Sequence, residues 1–314
     1  MNRLSVVVTG ACGYLGGRLV QSLCADGHMV TGTSRGERVA PPGWPEAARL
    51  VRLDPAADLE VLAEALGGAD VVIHLAAANE VASARDPEQA VRDTGLGTWR
   101  LLQAAIQARV RRFVFLSTIH VYGAPLRGRL DEGVAARPGH PYAISHRLGE
   151  DFVLAARDAG RIEGVVIRLS NGIGAPVWRD VDRWTLVGND LARQAVETGR
   201  LQIKTPGQWR DFITLPDFCQ GVSTLSLADA EALDDGLFNL GGNLLLRIAD
   251  VARATAAAAE LVLGRPIAID MPEIGANEPA AFDFRIDKLE RLGFLPTGDR
   301  FLRSEMEASL RLLT

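Results

Sequence analysis

The stretch SVVVTGACGYLGGRLV, Ser5–Val20, decides the fold. Its first part is a short run of branched apolar residues, the composition of a buried strand. Its last part spaces apolar and polar residues with a helical period. Between them lie Gly10, Gly13 and Gly16 at GxxGxxG spacing. Gly10 permits a tight turn, Gly13 lets the backbone approach a pyrophosphate, and Gly16 lets the helix pack against the strand. The N-terminus of a helix carries N–H groups without partners, so a phosphate suits such a joint. A bare glycine pattern also fits a plain strand–turn–helix connection. The flanking strand and helix are what favour a dinucleotide.

Outward from this joint the alternation repeats. HMVTGTSR follows the helix, then a proline-rich loop around Pro41–Pro45. ARLVRLD reads as a strand ending at Asp54, LEVLAEAL as a helix and ADVVIHLAA as a strand. EQAVRDTGLGTWRLLQAAIQA reads as one long helix and RRFVFLST as a fifth strand. The strand runs are continuously apolar, which suits strands covered on both faces. Such alternation predicts right-handed crossovers and an α/β fold with a Rossmann-type, doubly wound parallel sheet. Residues 1–173 are read as the dinucleotide-binding domain, with sheet contributions from 210–245. After about Gly174 the regularity fades into APVWRDVDRW and TPGQWRDF, so 174–314 is read mainly as a smaller, mixed substrate lobe. A pocket is expected between the lobes, at the carboxyl ends of the strands.

The 314 residues are 47% hydrophobic and 23% charged, with a net charge of −5. That balance offers nucleic acid or an anionic membrane no electrostatic attraction. No 18 apolar residues run together, so no transmembrane helix is expected. The opening LSVVVTG is too short for a secretory leader. Cys12, Cys24 and Cys219 lack CxxC spacing and suggest a reducing, cytoplasmic setting. No cluster has metal-ligand spacing, so no metal is expected. His28 reads as an exposed turn residue and His74 as structural.

The end of the second strand bears on the choice of dinucleotide. In TGTSRG, Ser34 holds the position where an acid would bind a ribose 2′-hydroxyl, and Arg35 follows it. With no carboxylate to repel a 2′-phosphate and a guanidinium able to pair with one, NADP is favoured over NAD. The alternative is a solvated Arg35 and an NAD enzyme.

PYAISHRLGE, Pro141–Glu150, places Tyr142 and His146 four apart at a helix start, hence on one face. A phenol beside an imidazole is either an acid–base pair or ordinary helix surface.

Several motifs together resemble the extended short-chain dehydrogenases/reductases, the NAD-dependent epimerase/dehydratase family acting on nucleotide sugars. They are TGACGYLG, Asp54, HLAA, GTWRLLQAA, FLSTIHVYG, PYAISHRLGE, IRLSNGIG, GQWRDFITLPD, FNLGGN and RIDKLERLGFLP, in order along nearly the whole chain. The resemblance implies that Gly10, Gly13, Tyr14, Leu15 and Gly16 hold the cofactor diphosphate. It puts Ser34 and Arg35 at the adenosine ribose and Asp54 and Pro55 at the adenine. Leu75, Ala76 and Ala77 would line the dinucleotide. Thr118 and Tyr142 would be catalytic. Asn171 and Arg210 would contact a substrate diphosphate. A homodimer is also implied.

The departures are specific. The family's YxxxK is YxxxH here, with His146 for lysine. The asparagine that opens NxxGT is Thr94. The Asp–Glu pair of sugar 4,6-dehydratases is Ile119 and His120, which disfavours 4,6-dehydration. His146 is expected to donate a hydrogen bond to the nicotinamide ribose, supplying position more than charge. His120 is expected either in the pocket or bonded to backbone. The reading is an NAD(P)-dependent epimerase or ketoreductase working on a nucleoside-diphosphate sugar at C4, with Tyr142 as acid/base. The rivals are a reductase of a non-nucleotide carbonyl and a dinucleotide-binding sensor without catalysis.

Overall fold

The computed structural model describes residues 3–36, 40–275 and 280–314. The first half alternates strands and helices: β1 Ser5–Thr9, α1 Tyr14–Ala25, β2 Met29–Ser34, β3 Ala48–Arg52, α2 Leu59–Leu66 and β4 Val71–His74. Next come α3 Glu80–Arg85, α4 Pro87–Ala90, α5 Gly97–Gln107, β5 Arg112–Thr118, β6 Gly128–Leu130 and α6 Pro141–Asp158. They are followed by β7 Glu163–Leu169, β8 Asn171–Ile173, α7 Val187–Thr198, β9 Arg200–Gln202, β10 Trp209–Thr214 and α8 Leu215–Leu227. The chain closes with β11 Leu237–Leu240, β12 Leu244–Arg247, α9 Ile248–Leu263, β13 Ala268–Asp270, β14 Phe282–Phe284, α10 Asp287–Glu290 and α11 Leu302–Leu313.

Seven strands form one parallel sheet in the order β11-β7-β5-β4-β1-β2-β3. The order reverses between β1 and β4, which opens a crevice at their carboxyl ends. The central strands are buried on both faces: Val6, Val8, Ile73 and Val114 on one and Val7, Val72, Phe113 and Val166 on the other are each at most 4% exposed. One core lies on the α1 and α8 side of the sheet, and a second lies under α2, α5 and α6. A third core joins α7, α9 and α11. Among the described residues a small sheet, β12-β10-β8, stands apart from the large one. Strand β11 returns to the large sheet from the C-terminal part of the chain.

Two expectations need correction. The segment read as one long helix is α4 and α5 joined by a π-helical stretch, Val91–Leu96. That widening is stabilised from outside: the Thr94 hydroxyl accepts the Ala78 N–H at 3.0 Å. His28 is 3% exposed, because its Nδ1 accepts the Leu4 N–H at 3.2 Å and ties the start of β1 to the turn before β2.

Candidate active site

The crevice holds a cavity of about 700 Å³, running from the glycine loop to the small sheet. Its first end is backbone. Gly10 has φ +68°, and a Cβ there would meet Ala76 N at 3.0 Å. A Cβ on Gly16 would lie 2.1 Å from Gly10 O. Gly13 caps α1 without a side-chain hydrogen bond, and the first turn carries no acid. The leading N–H groups of α1 therefore meet the cavity with nothing negative beside them, and a dinucleotide's diphosphate fits this cradle.

Leu15, Leu75, Ala76, Ala77 and Pro55 share this wall. Tyr14 does too, but its hydroxyl donates to the Gly174 carbonyl at 3.0 Å, so it offers a surface rather than a free hydroxyl. Ser34 and Arg35 lie at the same end. Arg35 is more than half exposed and pairs with Asp93 of the π-helical stretch at 3.0 Å. Asp54 is absent from the wall. Its Oδ1 accepts the Ala56 N–H at 3.0 Å and closes a turn that Arg100 holds through the Pro55 and Ala57 carbonyls.

The second end is made of side chains. Thr118 ends β5, and its Oγ1 accepts the His120 N–H at 3.3 Å. The Thr118 hydroxyl also stands close enough to the Tyr142 phenol to favour its ionised form. Helix α6 starts just before Tyr142 because Pro141 presets the first turn and His140 Nδ1 accepts the Tyr142 N–H at 3.3 Å. The Tyr142 and His146 rings then meet with centroids 4.3 Å apart, and His146 stacks on Phe115 of β5 at 6.0 Å. Part of the Tyr142 surface is open to the cavity, but the phenol itself sits deep. Burial pushes it up to about 12, with Glu80 adding to the rise and Arg183 and Thr118 opposing it. It is a proton donor at neutral pH.

His146 is drawn down to about 4 by burial, against the opposing pull of its bond to the Tyr142 carbonyl. It is neutral at pH 7. Its Nδ1 lies 2.7 Å from that carbonyl, which can only accept, so Nδ1 carries the proton. The remaining Nε2 is an acceptor. A donated hydrogen bond to a ribose, expected from the sequence, has no proton left to use. His74 is equally committed: Nδ1 meets Thr9 Oγ1 at 2.6 Å and Nε2 meets Thr98 Oγ1 at 3.1 Å.

His120 packs edge-on to Tyr142 at 6.3 Å. Burial lowers its pKa, and so does the neighbouring Arg210. Arg210 reaches the cavity from β10, where it makes a long hydrogen bond to Gln208 Oε1, 3.4 Å. Burial makes its charge costly, and Glu80 compensates in part. Asn171 is also on the wall, although its Nδ2 donates to the Asp211 carbonyl at 2.8 Å. Two site residues escaped the sequence reading. Glu80 opens α3, and Arg183 lies in the loop before α7. They are joined by bonds of 2.8 and 3.2 Å. No local spacing links residues 103 apart.

Among the described residues, no three His, Cys, Asp or Glu side chains stand together as metal ligands, and no helix is long and apolar enough to cross a membrane.

Sheet, glycine cradle and phenol together define a Rossmann-type, dinucleotide-dependent enzyme. The chain belongs to the NAD dependent epimerase/dehydratase family, whose model matches residues 6–241. It is 34% identical over 235 residues to dTDP-6-deoxy-L-talose 4-dehydrogenase (NAD(P)(+)) from Kitasatospora kifunensis, covering 72% of this chain and 71% of that one. It is 28% identical to a dTDP-glucose 4,6-dehydratase from Streptomyces niveus, where the match spans only about half of each protein, 54%. The UDP-glucose 4-epimerase of Thermus thermophilus, solved in complex with NAD, shares the fold: TM-score 0.79, 24% identity, 99% of both chains.

Proposed function

We propose that the protein is an NAD(P)-dependent epimerase or ketoreductase of a nucleoside-diphosphate sugar, acting at C4, with Tyr142 as the acid/base. The observation that carries this reading is the meeting of Thr118, Tyr142 and Arg210 on the same cavity as the glycine cradle. Thr118 would hydrogen-bond the reacting oxygen beside the phenol. Tyr142 holds a proton for the reacting oxygen. Arg210 is half-buried and its hydrogen bond goes to an amide rather than a carboxylate. It suits phosphate oxygens, which a guanidinium can grip bidentately. When bound, the dinucleotide supplies or accepts hydride. Ile119 and His120, in place of an acid pair, continue to disfavour 4,6-dehydration.

The high proton affinity of Tyr142 and the neutrality of His146 tilt the reading toward reduction. The family likeness to a 4-dehydrogenase named for either dinucleotide supports action at C4. The reading further takes NADP as the preferred dinucleotide, because Arg35 follows Ser34 where a carboxylate would repel a 2′-phosphate. Arg35 would have to exchange its Asp93 partner for the phosphate. It includes the division near residue 173, a homodimer and a cytoplasmic location.

The test is turnover of UDP- and dTDP-4-keto-hexoses with NADPH and NADH. Reduction or epimerisation supports the reading, and binding of either dinucleotide with no turnover of any 4-keto-sugar or parent sugar sinks it. Arg35→Ala should weaken NADP much more than NAD in calorimetry. Equal losses would remove the 2′-phosphate role.

A further inference from the structure

Glu80 and Arg183 bring opposite charges to the sugar end of the cavity from segments distant in sequence. Arg183 Nη1 donates to Glu80 Oε2 at 2.8 Å and Nη2 to Oε1 at 3.2 Å. This fork-to-fork geometry fixes the carboxylate in one orientation. Glu80 is the first residue of α3, and α3 packs directly on α6, which carries Tyr142. The carboxylate, its clamp and the phenol all line the same cavity.

The other titratable groups facing Tyr142 are His146 one turn along α6, His120 at its ring edge, and Arg210 across the cavity. Both histidines are driven toward neutrality by burial. The cation that YxxxK would place beside the phenol is therefore missing, and the fixed charges near it are those of Glu80 and the two arginines. Burial raises the Glu80 pKa, but the hydrogen bonds and charge of Arg183, with a backbone hydrogen bond and His120, together more than offset this and hold it below the usual carboxylate value. At the phenol, the negative charge of Glu80 outweighs the positive charge of Arg183.

We infer that Glu80 is a positioning residue for proton transfer: clamped by Arg183, its carboxylate adds to burial in holding the proton on the Tyr142 phenol. The site is thereby set to give a proton to a carbonyl oxygen and resists taking one from an alcohol. In the giving step the Tyr142 O–H bond breaks and a new O–H bond forms on the substrate oxygen. The phenolate left behind is reprotonated from solvent, and the hydride would come from a bound reduced dinucleotide. The direction of reaction rests on the function proposed above; the charge effect on Tyr142 does not.

The chain has three tyrosines, so protein labelled with carbon-13 at tyrosine Cζ gives three signals, and Tyr142→Phe identifies the one of interest. The full chain is titrated with alkali without substrate. In Glu80→Gln the Tyr142 midpoint should fall by about 0.5 unit or more, since a nearby like charge has been removed. Glu80→Asp should restore it toward the unaltered value. Arg183→Met should move it upward or leave it untitrated to the alkaline limit of the fold. The Tyr122 signal, held by Asn239 at 2.8 Å, reports that the fold is intact.

The inference is overturned if Tyr142 titrates no earlier in Glu80→Gln than in the unaltered protein. It is also overturned if Glu80→Gln and Arg183→Met shift it in the same direction, which would make the pair a structural strap. Should Glu80→Gln not fold, a lowered midpoint in Arg183→Met is enough to overturn it. Loss of the nucleotide-sugar reading would show differently, as absent turnover with the titration shifts preserved.

Discussion

At the glycine-loop end of the cavity the wall is backbone, contributed by one continuous turn and the strand ends beside it. At the Tyr142 end it is side chains: Glu80, Thr118, His120, His146, Arg183 and Arg210 arrive from stretches far apart in the chain. A backbone cradle depends on shape, and a single added carbon deforms it. A side-chain cluster depends on charge, and each member changes the proton affinity of the others. The two ends should therefore fail independently and in different ways.

The sharpest break is Tyr142→Phe. Loss of general acid–base catalysis costs about 10²–10⁴-fold in turnover. Kinetics and calorimetry together should show that loss with dinucleotide affinity unchanged. An active phenylalanine variant would mean that another group moves the proton, with His120 the first to test.

Arg210→Ala should weaken a nucleoside diphosphate by about 1.5–3 kcal/mol, the scale of a charged hydrogen bond, and leave the dinucleotide alone. If titration calorimetry shows the dinucleotide lost and the nucleoside diphosphate retained, the two ends have been assigned the wrong way round.

Gly16→Ala is the converse experiment. The new Cβ overlaps Gly10 O, and overpacking of this kind costs about 1–3 kcal/mol. Urea unfolding should show that loss together with weaker dinucleotide binding. Normal dinucleotide affinity in this variant would separate the loop's packing from its ligand and break the comparison.

The last effect concerns acid. His146 has a folded value of about 4 against 6.5 when free, so the unfolded chain takes the proton first. Its contribution to stability is present above about pH 6.5 and is lost as pH falls toward 4, by up to ~1.4 kcal/mol per pH unit. His74, held near 3 by burial, acts in the same sense. His146→Gln should make the fall in urea midpoint between pH 7 and 4.5 shallower. An unchanged slope would show that His146 is hydrated rather than buried.

Much of the fold was legible because it is written locally. Each run read as a strand joined the large sheet, ARLVRLD at its edge, and the glycine spacing marked the reversal point of the sheet. The long helix was not legible as broken. Its π-helical stretch depends on Thr94 receiving an N–H from Ala78, a partner from a different segment. His28 looked exposed because it sits in a turn, yet Leu4 covers it. Asp54 does not line the cavity, its Oδ1 closing the turn that follows it, while the adjacent Pro55 does.

The sequence by itself determined the sheet, the phosphate cradle and the presence of a tyrosine with no lysine partner. These follow from period, spacing and residue type, which act over a few neighbouring residues. Only the tertiary structure decided what charge surrounds that tyrosine. It spent the His146 proton on the carbonyl one turn back and clamped Glu80 with Arg183 across 103 residues. The physical reason is that electrostatic influence depends on distance through the folded protein and on burial, and neither is encoded in separation along the chain.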